Sequence, residues 1–260
     1  MPIIAVISDI HVGHPAAVWP KGYVTENGNE VNPNKPQEVL LQYWEDFWNQ
    51  PDVKSADYIV NMEESIEGYN FKEHGHDILV TDLDKQIEAF RMLIEPYLQG
   101  RTYLGMEGSK YHGSQDTSVG KAVCQAVGGN YMGMLANWQV GDTDKIIHMT
   151  HKSSGAMLYK STALDRNSLY MSAAKSKTKV DPDVMLYGHH HQYFRVDTAT
   201  RINIMAPCWK FWHHIKTGEK YAMTQPSIGG MVIKITDQSR IYVDPYLYPL
   251  EHLEDAVRRM

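Results

Sequence analysis

Two short motifs at opposite ends of the chain carry side chains suited to holding a metal. Ser8-Asp9-Ile10-His11 closes an apolar run over residues 3–7, and Gly188-His189-His190-His191 closes another over residues 184–187. Carboxylate oxygens and imidazole nitrogens are ligands for hard and borderline divalent ions. On an extended segment, residues two apart point the same way, which would pair Asp9 with His11 and His189 with His191. Strand ends are also where open α/β sheets gather their sites. The pairs lie about 180 residues apart, so a centre that uses both must be assembled by the fold.

Between them, further polar groups stand where other apolar runs end. These are Glu63-Glu64, the stretch Gly108-Ser109-Lys110-Tyr111-His112, and His151. Each has a plainer reading. Asp9 and His11 alone fit a capped turn, Glu63-Glu64 fits a solvated acidic turn, and His112 fits an ordinary loop histidine. A serine in a glycine-containing turn commonly bonds its own backbone, which is the plain account of Ser109. Strand alternation sets His148 on the face opposite His151, and His190 opposite its two neighbours. His74, His76, His213 and His214 read as surface or structural residues, although His74 and His76 lie in a loop able to reach a substrate.

The elements that must position these groups follow from hydrophobic period. Strands are expected at 3–8, 57–62, 101–106, 145–149, 184–187, 201–206, 230–236 and 240–243. Helices are expected at 36–48, 83–98, 118–127 and 156–177, with Asp82 as a cap and Gly100 as a stop for the second. Residues 12–36 read as a long loop beside the first motif, and long loops there are often functional. The stripe Tyr43, Trp44, Phe47 and Trp48 fits core packing better than a base-stacking platform. Lys175, Lys177 and Lys179 fit a solvated helix end better than a grip on a nucleic-acid backbone.

Bulk properties narrow the class. The chain has 260 residues, 43% apolar and 22% charged, with a net charge of −6, as in an ordinary globular protein. That charge argues against passive duplex binding, though not against a nuclease whose metals carry the positive charge. Two cysteines, Cys124 and Cys208, fit a reducing compartment. No run approaches the ~20 apolar residues of a membrane span, and the N-terminus reads as a strand rather than a signal peptide. A cytoplasmic location is therefore expected, with no membrane partner.

In order, the set runs Asp-x-His, acid, Gly-polar-x-x-His, His, Gly-His-x-His. This resembles the calcineurin-like metallophosphoesterase superfamily, and the Gly108–His112 block and the Trp/Pro-containing tail look like phage- or prophage-encoded members. The resemblance implies an α/β fold, a two-sheet α/β/β/α sandwich forming a single domain over 1–260 with a loop insertion at about 12–36. It also implies two divalent metal ions, manganese first, with iron, zinc or nickel as alternatives. Asp9, His11 and His191 would hold one ion, and His151 and His189 the other. Glu64 stands where the family has a bridging aspartate, and Glu63 where it has glycine. One methylene longer, Glu64 would push the ions apart or use both oxygens. Ser109 replaces a ligating asparagine, and Lys110 replaces a proton-donating histidine whose role would pass to His112. Lys110 would then hold a phosphate oxygen.

The activity implied is phosphoester hydrolysis by metal-activated hydroxide, most of all of a phosphodiester, with nucleic acid among the candidate substrates. A phosphomonoesterase is one alternative. A degenerate, catalytically weak metal-binding scaffold is another, favoured by the departures at Glu64, Ser109 and Lys110.

Overall fold

The run Ile3–Ile7 (β1) is unbroken in apolar character because both of its faces are covered. Ile4 and Val6 join an apolar cluster with Val60, Leu104, Leu186 and Ile204, whereas Ala5 and Ile7 join another with Leu40, Phe47 and Phe90. Strands buried on both sides lose the polar–apolar alternation of a half-exposed strand. The computed structural model describes residues 1–25, 27–70, 77–112, 118–152, 160–211 and 225–253.

The other strands are Tyr23–Val24 (β2), Glu30–Val31 (β3), Tyr58–Asn61 (β4), Thr102–Gly105 (β5), Asn130–Tyr131 (β6), Leu135–Gln139 (β7), Ile146–Thr150 (β8), Val184–Tyr187 (β9), Phe194–Asp197 (β10), Ile202–Met205 (β11), Ile228–Ile235 (β12) and Ile241–Tyr248 (β13). The first large sheet has the order β13-β12-β1-β4-β5-β6 and the second β10-β11-β9-β8-β7, while β2 and β3 form a small hairpin. In the first sheet β1, β4, β5 and β6 are parallel. In the second, β8, β9 and β11 are parallel, flanked by antiparallel β7 and β10.

The helices are Lys35–Asn49 (α1), Pro51–Lys54 (α2), Leu83–Ile94 (α3), Val119–Ala126 (α4) and Lys160–Thr178 (α5). Leu40, Trp44 and Phe47 of α1, Phe90 of α3 and Val123 of α4 cover the outer face of the first sheet. Leu164 of α5 covers Met185, Tyr187 and Met205 of the second. The four layers are thus α/β/β/α, as expected. Tyr43 is stacked on Tyr248, and Trp44 and Phe47 pack against Trp209, so the aromatic stripe belongs to the core.

Several boundaries differ from expectation. The helix expected to reach residue 98 stops at Ile94 and tightens into a 3-10 turn over Glu95–Tyr97. Pro96 has no amide to continue the ladder. Its start is as expected, with Asp82 accepting from the amides of Asp84 and Lys85. Residues 12–36 are not a featureless loop, since they bury Trp19 and contain the β2–β3 hairpin. Of the helix expected from 156, residues 156–159 lie outside the described ones. Cys124 and Cys208 are buried free thiols. Among the described residues no helix is long and apolar enough to cross a membrane.

Candidate metal centre

The strands end before the motifs do. β1 stops at Ile7 and β9 at Tyr187, so alternation along an extended strand is not what aims the side chains. The backbone turns instead into the left-handed region, with φ of 50° at Asp9, 54° at His11, 55° at Glu64, 72° at His189 and 56° at His191. Such conformations cost roughly 1–3 kcal/mol each for non-glycine residues, and the surroundings must hold them. Asp9 and His11 donate their amides to the carbonyls of Glu63 and Glu64, both at 2.8 Å, zipping the loop after β1 to the loop after β4. Gly188 closes the gap between the sheets. A Cβ there would meet Ser8 Oγ at 2.6 Å and His151 Nδ1 at 2.9 Å, so only glycine permits this approach.

The result is a buried cluster in two halves joined by Glu64. In one, Oε2 of Glu64 lies 3.3 Å from His11 Nε2, which is 3.1 Å from His191 Nε2, itself 3.3 Å from Asp9 Oδ1. In the other, Oε1 of Glu64 lies 3.1 Å from His151 Nε2 and 3.7 Å from His189 Nδ1. Glu64 therefore uses both oxygens, one toward each half. The donor sets Asp9–His11–Glu64–His191 and Glu64–His151–His189 each place their ligand atoms within 4.8 Å of one another. Ligands ~2.0–2.2 Å from a shared ion stand about 3 Å apart.

The donors fit a cation on a second count. His151 Nδ1 is 2.6 Å from the carbonyl of Met62, which only accepts, so that nitrogen carries the proton. In the neutral ring Nε2 is then a bare lone pair facing a carboxylate oxygen. Glu64 Oε1, His151 Nε2 and His189 Nδ1 are all buried without a hydrogen bond. Two acceptors at this separation repel unless a proton or metal sits between them. Burial pushes the His151 ring down, but Glu64 and Asp9 lift it to about 9, so a proton takes that place in the metal-free protein. Burial opposes ionisation of Glu64 as well, yet His151 and His112 hold it well below the usual carboxylate range. Its neighbour Glu63 goes the other way, pushed by burial to about 8, and is a neutral acid at pH 7.

Other expected site residues are placed unevenly. His112 reaches the cluster, its Nε2 3.9 Å from Glu64 Oε2 and its Nδ1 2.7 Å from the carbonyl of Glu67. That carbonyl fixes a proton on Nδ1, which leaves Nε2 as the atom that faces the cluster. Ser109 lies beside the cluster, because a Cβ on Gly108 would come within 3.3 Å of the Glu64 amide. Its Oγ is buried without a hydrogen-bond partner. Lys110 is exposed. His148 points away from the cluster to Asn137, at 2.8 Å. His190 lies outside every donor set that the cluster offers, its ring 5.8 Å from that of His189. His74, His76, His213 and His214 lie outside the described residues.

Two residues with a place behind the cluster were not singled out from sequence. Glu67 is fully buried and bonds His11 Nδ1 at 2.8 Å and Lys210 Nζ at 2.9 Å. The Glu64-x-x-Glu67 spacing and a lone lysine inside Cys208-Trp209-Lys210-Phe211-Trp212 were the available signals.

No protein-family model matches the chain, and no curated protein matches it in sequence. Among solved structures, the chain is similar to a zinc-complexed Vps29 from Entamoeba histolytica, at 10% identity and a TM-score of 0.44, covering 95% of this chain and 99% of that one. It is similar to an archaeal phosphodiesterase at 12% identity and a TM-score of 0.47, covering 94% and 99%. A third is a Streptococcus pneumoniae protein described as a predicted phosphoesterase, at 11% identity and a TM-score of 0.34, covering 95% and 98%.

Proposed function

We propose that the protein is a metal-dependent phosphoester hydrolase of the calcineurin-like metallophosphoesterase type. The observation that carries this reading is the Glu64 carboxylate, which turns one oxygen to His11 and the other to His151 and His189 at 3.1–3.7 Å, with those facing atoms buried. Asp9, His11, His191 and Glu64 would hold one divalent ion, and Glu64, His151 and His189 the other. When bound, such ions supply Lewis-acid stabilisation of phosphoryl oxygens and a water acidic enough to ionise near neutral pH.

The chain's own residues do the rest. Burial of Asp9, His11, Glu64 and His151, each at most 3% exposed, keeps bulk water from the ligand atoms. His112, its Nδ1 tied to the Glu67 carbonyl, would take a proton from solvent at Nε2 and give it to the leaving oxygen as the ester bond breaks, a role worth ~10²–10⁴-fold for a positioned group. A phosphodiester substrate, nucleic acid among the candidates, a manganese cofactor, a phage-type origin and a cytoplasmic setting extend the reading. Their support is the sequence resemblance and composition.

The test is hydrolysis of a chromogenic phosphodiester by purified protein with added Mn²⁺, run beside a phosphomonoester. Turnover of the diester that disappears in Asp9→Ala and in His189→Ala supports the reading, and faster turnover of the monoester reassigns the substrate. Protein that carries metal and turns over neither ester is the metal-binding scaffold.

A further inference from the structure

Behind the cluster, Glu67 is a buried hub. Its Oε2 accepts from His11 Nδ1 at 2.8 Å and from Lys210 Nζ at 2.9 Å, while Oε1 accepts from Asn70 Nδ2 at 2.6 Å. Residue exposures are 0% for Glu67, 1% for His11 and 8% for Lys210. A carboxylate withdrawn from water this far is tolerated when a cation and hydrogen bonds compensate it, and Lys210 supplies the cation. Lys210 is held there by backbone rather than by chance of side-chain packing. Trp209 donates its amide to the Asp9 carbonyl at 3.0 Å, Phe211 donates to Ala16 at 2.7 Å, and Ala17 and Lys210 form a bridge. The segment after β11 is thereby sewn to both the first motif and the start of the 12–36 segment.

We propose that Lys210 is a positioning residue acting through Glu67: the ion pair locks the His11 imidazole with Nδ1 as donor and Nε2 bare toward the metal centre. An ionised carboxylate only accepts, so His11 can meet Glu67 in one tautomer alone, the one that leaves Nε2 free to ligate. Carboxylate partners behind metal-binding histidines act in this way, and their removal typically weakens metal binding about 10–100-fold. Here the partner is itself held by a lysine 143 residues away in sequence. The inference rests on the metal-centre reading above.

The experiment uses the whole 260-residue chain, Mn²⁺ alone as the binding probe, and imidazole ¹⁵N shifts of the metal-free protein, read at alkaline pH where the His11 ring is neutral, as a readout that a purely structural role would not move. In the wild type His11 should show the Nδ1–H tautomer. In Lys210→Met and Glu67→Gln that tautomer should give way to a mixture, and the Kd for Mn²⁺ should rise about 10–100-fold. Wild-type Mn²⁺ affinity together with an unchanged His11 tautomer in Lys210→Met would overturn the proposal. So would an Nε2–H tautomer in the wild type, a measurement that needs no variant to fold. Should the wild type bind no Mn²⁺, the phosphoesterase reading fails, while the tautomer spectra still decide the role of Lys210.

Discussion

The two halves of the cluster share Glu64 and are otherwise built differently. In the first, Asp9 accepts from the Ser8 hydroxyl and from the His189 amide, and His11 is backed by Glu67, Asn70 and Lys210. Its ligands are fixed before any ion arrives. In the second, His151 rests on one carbonyl, and His189 has a side chain 26% exposed with Nδ1 unbonded. Preorganised donors lose little freedom on binding, whereas loose ones lose more. On the proposed two-ion reading, the first half is therefore the tighter site, and the second is the more open to exchange and to substrate.

The harshest way to break this comparison is Glu64→Gln, which removes the charge both halves use. Metal analysis should find at most one ion, and diesterase turnover should fall by at least about 10³-fold. A pH series then compares the halves, His11 in the first being raised as well, against burial and Lys210, by Glu67 and Glu64. His151 in the second sits at about 9 without metal, so a proton competes with the ion there. Calorimetric titration with Mn²⁺ should show the weaker of two events strengthening up to about tenfold per pH unit from 7 to 9, with proton release. His151→Ala should abolish that event and leave the tighter one. Equal strengthening of both events would show that the halves are alike.

Three residues earlier on β8, His148 offers a control outside the cluster. Burial and Arg201 lower it to about 4, so the folded protein keeps it neutral where the unfolded chain takes a proton. Its contribution is intact above about 6.5 and is lost as pH falls toward 4, amounting to roughly 3 kcal/mol in chemical denaturation. His148→Gln should flatten that slope and leave metal content unchanged. The smallest effect is expected of Ser109→Ala. Loss of one neutral hydroxyl near Glu64 should weaken the second Mn²⁺ event by less than about tenfold, and a larger loss would make Ser109 a full member of that half.

Much of this was legible from the chain because buried parallel strands announce themselves. Val184–Tyr187 is four buried residues, and its bounds were readable as they stand. The terminal motifs were legible because two residues of metal-ligand type in three is a dense signal. The manner of their convergence was not. Strand alternation and a left-handed turn predict the same pairing of Asp9 with His11, and only the backbone tells them apart. Glu67 and Lys210 were missed for another reason. A buried ion pair is a property of two distant segments, and in sequence each partner looks like one more surface charge. Strands β6 and β7 carry too few buried positions to register, with Tyr131 and Leu135 exposed.

The left-handed turns have a consequence for anyone redesigning this protein. Asp9, His11, Glu64, His189 and His191 all occupy a backbone region where glycine is the comfortable residue. A procedure that rewards stability alone would therefore replace these five before most others, and its product would fold more firmly while losing most of its cluster.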